Sequence, residues 1–234
     1  MSDLSAFPIA KKWPAQHPDR VQLYSFPTPN GVKASIMLEE IGLPYEAHAV
    51  NIMQNDNKTP EFLSLNPNAK IPAMIDPDGP GGKPIGLFES GAILMYLAEK
   101  TGKLIPADAA GRYEAMAWVF FQVGAIGPMF GQVGFFYKFA GKDYEDKRPL
   151  QRYVDEATRL LGVLETQLDG RKWIMGDDFT IADVSMLGWV RGLVGFYEAG
   201  GVTGYDKLKH VPAWLDRCLA RPAVERGLNI PPRP

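Results

Sequence analysis

Cysteine is nearly absent from this chain. Cys218 is the only one among 234 residues, so no intrachain disulfide can form and the first half of the chain offers no thiol of its own. That usage fits a reducing, cytosolic compartment. An excess of one charge is also missing. Lys+Arg 25 against Asp+Glu 27 leaves a formal net charge of -2, which removes the electrostatic case for nucleic acid or an anionic membrane surface. The three histidines, His17, His48 and His210, lack metal-ligand spacing, and no metal is expected. A phosphate-cradling Walker loop and a G-x-S-x-G elbow are absent; Gly79, Gly81 and Gly82 fall in a loop of hairpin type. Long uncharged runs are reduced to one, residues 117–137, and Gln122, Gln132, Pro128 and four glycines interrupt it. It is long enough to span a bilayer, but reads better as a buried bundle helix kinked near Pro128. Residues 1–20 carry Asp3, Lys11, Lys12, Trp13 and three prolines. They read as an irregular arm, not a secretory signal.

What is there is a mixed front and a helical back. Val21–Phe26 is a short apolar strand. Asn30 and Gly31 open a helix with Val32, Ile36, Met37 and Ile41 inward; Gly42 closes it and Pro44 forbids continuation. Tyr45–Ile52 reads as a second strand, and Pro60 starts a short helix through Leu65. Pro72–Ile75 and Ile85–Phe88 are strands joined by a Pro/Gly loop, and Ser90–Lys100 is a helix. The layout β-α-β-α-β-β-α resembles thioredoxin and predicts a mixed four-stranded sheet whose first two strands are parallel. Beyond residue 107 strand signals vanish. Residues 112–139 read as helix. Leu150, Tyr153, Val154, Ala157, Leu160, Leu161, Leu164 and Leu168 follow helical spacing. Thr180-Ile-Ala-Asp183 reads as a capping box ahead of another helix, and Pro212 starts a last one, with Trp214, Leu215, Cys218 and Leu219 inward. The division is an arm at 1–20, an α/β domain at 21–102, a linker at 103–110 and an all-α domain at 111–234.

Three segments carry the chemistry. Asn66-Pro-Asn-Ala-Lys-Ile-Pro72 leads into a strand at a proline, which donates no ladder bond. With Ile71-Pro72 cis, the Ile71 backbone turns outward and can pair with an extended ligand. Glu89 and Ser90 sit where a helix begins, so orphan N–H groups and a positive dipole end await a carboxylate, with Glu89 beside an ammonium. Thr28-Pro-Asn30 follows the first strand, where a hydroxyl and an amide can donate to an anion. Ser90 and Asn30 also suit plain helix caps.

The order Thr28-Pro-Asn-Gly31, Pro60-Glu-Phe62, Asn66 to Pro72, Glu89-Ser90 resembles the glutathione S-transferase superfamily over roughly residues 21–229, and within it the bacterial Nu class with its Ure2-like and disulfide-bond oxidoreductase relatives. The resemblance implies glutathione as co-substrate, bound in a cleft between the two domains. Thr28 and Asn30 would meet the sulfur. Ile71 and Pro72 would hold the cysteinyl unit, and Glu89 and Ser90 the γ-glutamyl end. Lys70 or Asn68 would meet the glycyl carboxylate, with Asn57 and Gln54 on a nearby loop. Arg152 matches an arginine near the ligand, though it equally suits a surface position.

The commoner classes place Tyr, Ser or Cys at the sulfur. Here Phe26 holds that position, with Ser25 and Tyr24 as rival donors. Without a cysteine in this domain, glutathione must supply all the sulfur chemistry. The resemblance implies disulfide reduction with oxidised glutathione formed, with organic hydroperoxide reduction as a further activity. Conjugation to electrophiles and non-catalytic glutathione binding stay open. It also implies a homodimer, over which the arm would reach. Asp183 is expected to be structural, completing the cap at Thr180 at a stability value of about 0.5–2 kcal/mol.

Overall fold

The computed structural model describes residues 4–233, so Asp3 at the head of the arm lies outside the described residues. The chain forms two compact units: Met1–Thr101 with Pro222–Pro234, and Gly102–Arg221.

The first unit is built on a four-stranded sheet in the order β2-β1-β3-β4, with β1 (Val21–Ser25), β2 (Tyr45–Ala49), β3 (Ala73–Asp76) and β4 (Ile85–Phe88). As expected, β1 and β2 are parallel and in register from Val21↔Tyr45; β3 runs antiparallel to β1 and β4. β1 and β3 are buried throughout, as strands covered on both faces must be. The proline-led strand is therefore interior. Its open backbone lies in the loop before it, and Pro72 itself precedes the ladder by one residue.

Helix α1 (Gly31–Ile41) follows β1 and stops at Gly42, whose φ of 70° is the left-handed C-cap geometry that glycine adopts without penalty. Val32, Ile36, Met37 and Ile41 are buried as the spacing requires. The short α2 (Pro60–Leu63) carries Pro60 in its first turn, and α3 (Ser90–Thr101) follows β4. Side chains alternate across the sheet. Tyr24, Ala73 and Ile75 point into one cluster with Val50, Phe62 and Leu65, and Leu4 and Ile9 of the arm complete it. The described part of the arm is irregular beyond Lys11, as expected, but its start is not. It forms two short 3-10 turns, Leu4–Ala6 and Pro8–Lys11, and folds over its own sheet. Trp13 Nε1 donates to the Ala49 carbonyl at 3.1 Å, Lys12 pairs with Asp56 at 2.7 Å, and the Gln16 and His17 amides donate to the Glu46 carboxylate.

The second unit is helical. Residues 109–137 form α4 (Ala109–Phe121), a π-turn at Gln122–Ile126 and α5 (Gly127–Tyr137). The interruption expected near Pro128 takes this form. Proline cannot donate to the ladder, and the Gly127 amide just before it reaches five residues back to Gln122. Among the described residues this is the one stretch long and apolar enough to cross a membrane. Here α4 packs against α7 and α5 against α6. Helix α6 (Arg148–Leu168) buries Val154, Ala157, Leu160, Leu161, Leu164 and Leu168. Helix α7 (Ile181–Arg191) opens with the expected capping box. Helix α8 (His210–Leu219) begins two residues before Pro212 and buries Trp214, Leu215 and Cys218, with Leu219 half-buried.

The chain then returns to the first unit, whereas the sequence placed residues up to 234 in the helical domain. Helix α9 (Pro222–Gly227) packs along α1. Ser35 Oγ donates to the Gly227 carbonyl at 2.6 Å, and Arg226 pairs with Glu39 at 2.6 Å. A Cβ on Gly227 would lie 2.6 Å from the Ile36 Cα, so the contact requires glycine.

Candidate functional site

The sheet register assembles the site. Tyr24 pairs with Ala73, and Ala73 with Phe88. The end of β1, the start of β3 and the end of β4 are therefore level, which gathers the Thr28–Asn30 turn, the Ile71-Pro72 step and Glu89-Ser90 at one end of the sheet. Both α1 and α3 begin at that end, and their N-termini carry orphan N–H groups and partial positive charge.

The turn after β1 is tight. Thr28 N donates to the Phe26 carbonyl at 2.7 Å, and the Thr28 carbonyl accepts the first helical bond, from Val32 N at 3.0 Å. Thr28 Oγ1 accepts from Gly31 N at 3.2 Å, which leaves the hydroxyl proton to donate elsewhere. A Cβ at Gly31 would sit 1.9 Å from the Phe26 carbonyl oxygen; glycine is required by close approach. Asn30 is not the capping side chain. Its backbone is already helical (φ -84°, ψ -39°) and it makes no cap bond. Its Oδ1 instead accepts from Lys33 Nζ at 2.8 Å.

The rivals Tyr24 and Ser25 are fully buried, and neither hydroxyl has a partner among the described residues. Tyr24 stacks on His48 with centroids 4.8 Å apart. Burial, then Glu46, pushes its phenol far up, so it stays a neutral core ring.

The second segment is braced from behind. Asn66 is buried; its Nδ2 donates to the Lys70 carbonyl at 2.5 Å, and its Oδ1 accepts from Asn68 N at 2.9 Å. Asn57 Nδ2 donates to the Ala69 carbonyl at 2.7 Å, while its buried Oδ1 has no partner among the described residues. Asn57 thus supports the loop that carries Lys70 and Ile71. The Ile71-Pro72 bond is cis. Pro72 is buried, Ile71 is half-buried, and Lys70, Asn68 and Gln54 are exposed.

Glu89 is exposed and held at φ 70°, a left-handed conformation costing a non-glycine residue about 1–2 kcal/mol. Such strain concentrates where a side chain or amide must be aimed. Its carbonyl accepts from Ile93 N, which starts α3. Ser90 is buried, and its Oγ accepts from Lys33 Nζ at 3.2 Å.

Lys33 is the residue sequence reasoning missed. It is 1% exposed, and its ammonium joins Asn30 on one helix to Ser90 on another. Burial lowers its pKa to about 7, partly opposed by the Glu89 carboxylate. The available signal was its place three residues after Asn30, within the buried run from Gly31 to Leu38. Arg152 lies exposed on α6 in the second unit. Among the described residues no group of His, Cys, Asp or Glu could hold a metal.

A family model described as the glutathione S-transferase N-terminal domain matches residues 19–99, and one described as its C-terminal domain matches residues 126–222. The chain belongs to the glutathione S-transferase family. A glutathione transferase from Burkholderia graminis, solved with two glutathione molecules per subunit, is 67% identical, with a TM-score of 0.98 over 100% of this chain and 98% of that one. A transferase from Pseudomonas putida, solved with one glutathione disulfide per subunit, is 60% identical, with a TM-score of 0.96 over 98% and 99% of the two chains. The disulfide-bond oxidoreductase YghU of Escherichia coli is 42% identical over 220 residues, which is 91% of this family member and 74% of YghU.

Proposed function

We propose that this transferase-family protein reduces disulfides with glutathione, releasing oxidised glutathione. The observation that supports the reading is that the N-termini of α1 and α3, with Thr28, Asn30 and Ser90, gather at one end of the sheet in a unit that contains no cysteine. The cysteine the chain does have, Cys218, is buried in the other unit. Such a socket suits an anionic thiol peptide, which then brings the reacting sulfur with it. The ligands of the Burkholderia and Pseudomonas structures and the name of YghU point the same way.

The chemistry balances with glutathione alone. One glutathione gives up its thiol proton, and the thiolate attacks a substrate sulfur; the substrate S–S bond breaks, a mixed disulfide forms and one thiolate leaves. A second glutathione thiolate attacks the glutathionyl sulfur of that mixed disulfide, forming oxidised glutathione and releasing the other thiolate; the two protons end on the two product thiols. Thr28 Oγ1 and the Asn30 amide donate to the thiolate and raise its fraction at neutral pH. The Ile71 backbone pairs with the cysteinyl unit, with Pro72 setting its direction. Glu89 meets the γ-glutamyl ammonium and Ser90 its carboxylate, while Lys70 lies on the loop suited to the glycyl carboxylate.

The test is turnover of bis(2-hydroxyethyl) disulfide with glutathione, followed by coupled oxidation of NADPH through glutathione reductase. Thr28→Ala should lower kcat by about tenfold to a hundredfold, the value of a hydrogen bond to a charged group, with a smaller change in glutathione affinity. Equal losses in both would remove Thr28 from the sulfur. Glutathione binding without any turnover would replace the enzyme reading with a regulatory one.

A further inference from the structure

We propose that Lys33 is a positioning residue which, as the ammonium, fixes Asn30 and Ser90 as outward-facing donors, so that filling the socket with a γ-glutamyl peptide draws a proton onto Lys33. This rests on the glutathione reading above and goes beyond it by making one buried lysine serve the groups that meet both the sulfur and the γ-glutamyl carboxylate.

The geometry carries the argument. An ammonium has three donors and no acceptor. Asn30 must therefore present Oδ1 inward to it, at 2.8 Å, which turns the amide NH2 away from Lys33. Ser90 must accept with its oxygen, at 3.2 Å, and its single proton then points away from Lys33 as well. An amide that could face either way and a hydroxyl that could donate or accept become two donors of fixed polarity. A thiolate and a carboxylate need donors. A neutral amine has a lone pair and could itself accept from Ser90, which would cost the site that donor.

Lys33 lies 1% exposed, so water compensates its charge poorly. Of the elements packed against α1, β1 has no charged residue. Helix α3 has Glu99 and Lys100 near its far end, and α9 has Glu225 and Arg226, the latter paired with Glu39. On α1 itself, Glu39 and Glu40 lie toward the C-terminal end. Glu89, just before α3, is the carboxylate that supports the ammonium, against the larger effect of burial. An incoming carboxylate at Ser90 adds negative charge beside the same ammonium and favours the protonated state.

The experiment is calorimetric titration of the intact protein with oxidised glutathione, which has no thiol to titrate, in two buffers of different ionisation enthalpy at about pH 6 and about pH 8, either side of the buried lysine's midpoint. Wild type should take up a large fraction of one proton on binding at the higher pH, and almost none at the lower. Lys33→Met should take up none at either and bind about tenfold or more weakly at the lower pH. Lys33→Arg, permanently charged, should bind without uptake. Binding by wild type with no uptake at the higher pH, or unchanged uptake in Lys33→Met, would overturn the proposal while leaving the glutathione reading intact. No binding by wild type at either pH would overturn both.

Discussion

Each unit buries one ionisable side chain at a helix start, and the two are treated differently. In the second unit Asp183 is fully buried and closed in by donors: Ile174 N at 3.0 Å, Thr180 N at 3.0 Å and Trp214 Nε1 at 2.8 Å. These bonds join the capped end of α7 to α8 and to the loop before it. In the first unit Lys33 is equally buried, but it bonds to two side chains, Asn30 and Ser90, that belong to the proposed glutathione site. Nearby Ser25 Oγ, Tyr24 Oη and Asn57 Oδ1, the three buried side-chain atoms identified without a partner among the described residues, all belong to this unit as well. A buried polar group satisfied from within serves stability. One that links side chains at two helix starts also fixes which way those side chains face.

That contrast can be broken most directly at Asp183. Asp183→Ala would strand three buried donors and should destabilise the protein by about 3 kcal/mol or more, measured by denaturant unfolding. This exceeds the value expected of a cap alone, because the sequence showed Thr180 but not Trp214 or Ile174. Turnover per folded molecule should be unchanged; a loss of stability under about 1 kcal/mol would mean that the cluster is not holding the unit. Asp183→Asn, which keeps an acceptor, should fall between.

Lys33 supplies a subtler difference, in pH dependence. Its folded pKa is lowered to about 7 by burial, below the ordinary lysine value. Below the folded value the lysine is charged in both folded and unfolded states, and the charged form suffers the burial. Between the two values the unfolded chain binds the extra proton, so stability rises with pH across that window. Wild type should therefore gain stability between about pH 6.5 and about pH 9 relative to Lys33→Met. An identical pH profile in the two proteins would show that Lys33 does not titrate in the folded state. The smallest effect is expected at Cys218, buried in α8. Cys218→Ala should cost about 1 kcal/mol in unfolding free energy and leave disulfide reduction intact. Loss of turnover there would contradict a sulfur supplied by glutathione alone.

Much of both units was legible because the signals are local. Gly42 after an apolar helix, Pro60 in a first turn, and Thr180 with Asp183 three residues on each act through neighbouring backbone groups, and each is found in place. The Thr28, Ile71-Pro72 and Glu89-Ser90 segments were recognisable for the same reason. Their convergence follows from one sheet register. Less legible were the features that depend on distant partners. Asn30 was read as meeting the sulfur with a cap as the alternative, and the cap is not made: its backbone has already entered the helix and its side chain has turned to Lys33. Asn57 looked like a ligand group and instead braces the Ala69 carbonyl. The arm looked irregular until the apolar residues Leu4 and Ile9 met the face of the sheet around Tyr24 and Phe62.

By itself the amino-acid order determined most of the helix and strand segments to within a few residues, that the first two strands run parallel, and that the α/β domain carries no cysteine of its own. Those properties follow from backbone geometry, side-chain periodicity and composition, all of which act over a few residues. Tertiary structure alone decided that α9 returns to lie along α1, that Asp183 gains donors from two further segments, and that a lysine in the first turn of α1 becomes the link between Asn30 and Ser90. Burial and hydrogen bonding between residues 57 or 192 positions apart, as between Lys33 and Ser90 or Ser35 and Gly227, exist only once the chain has closed on itself.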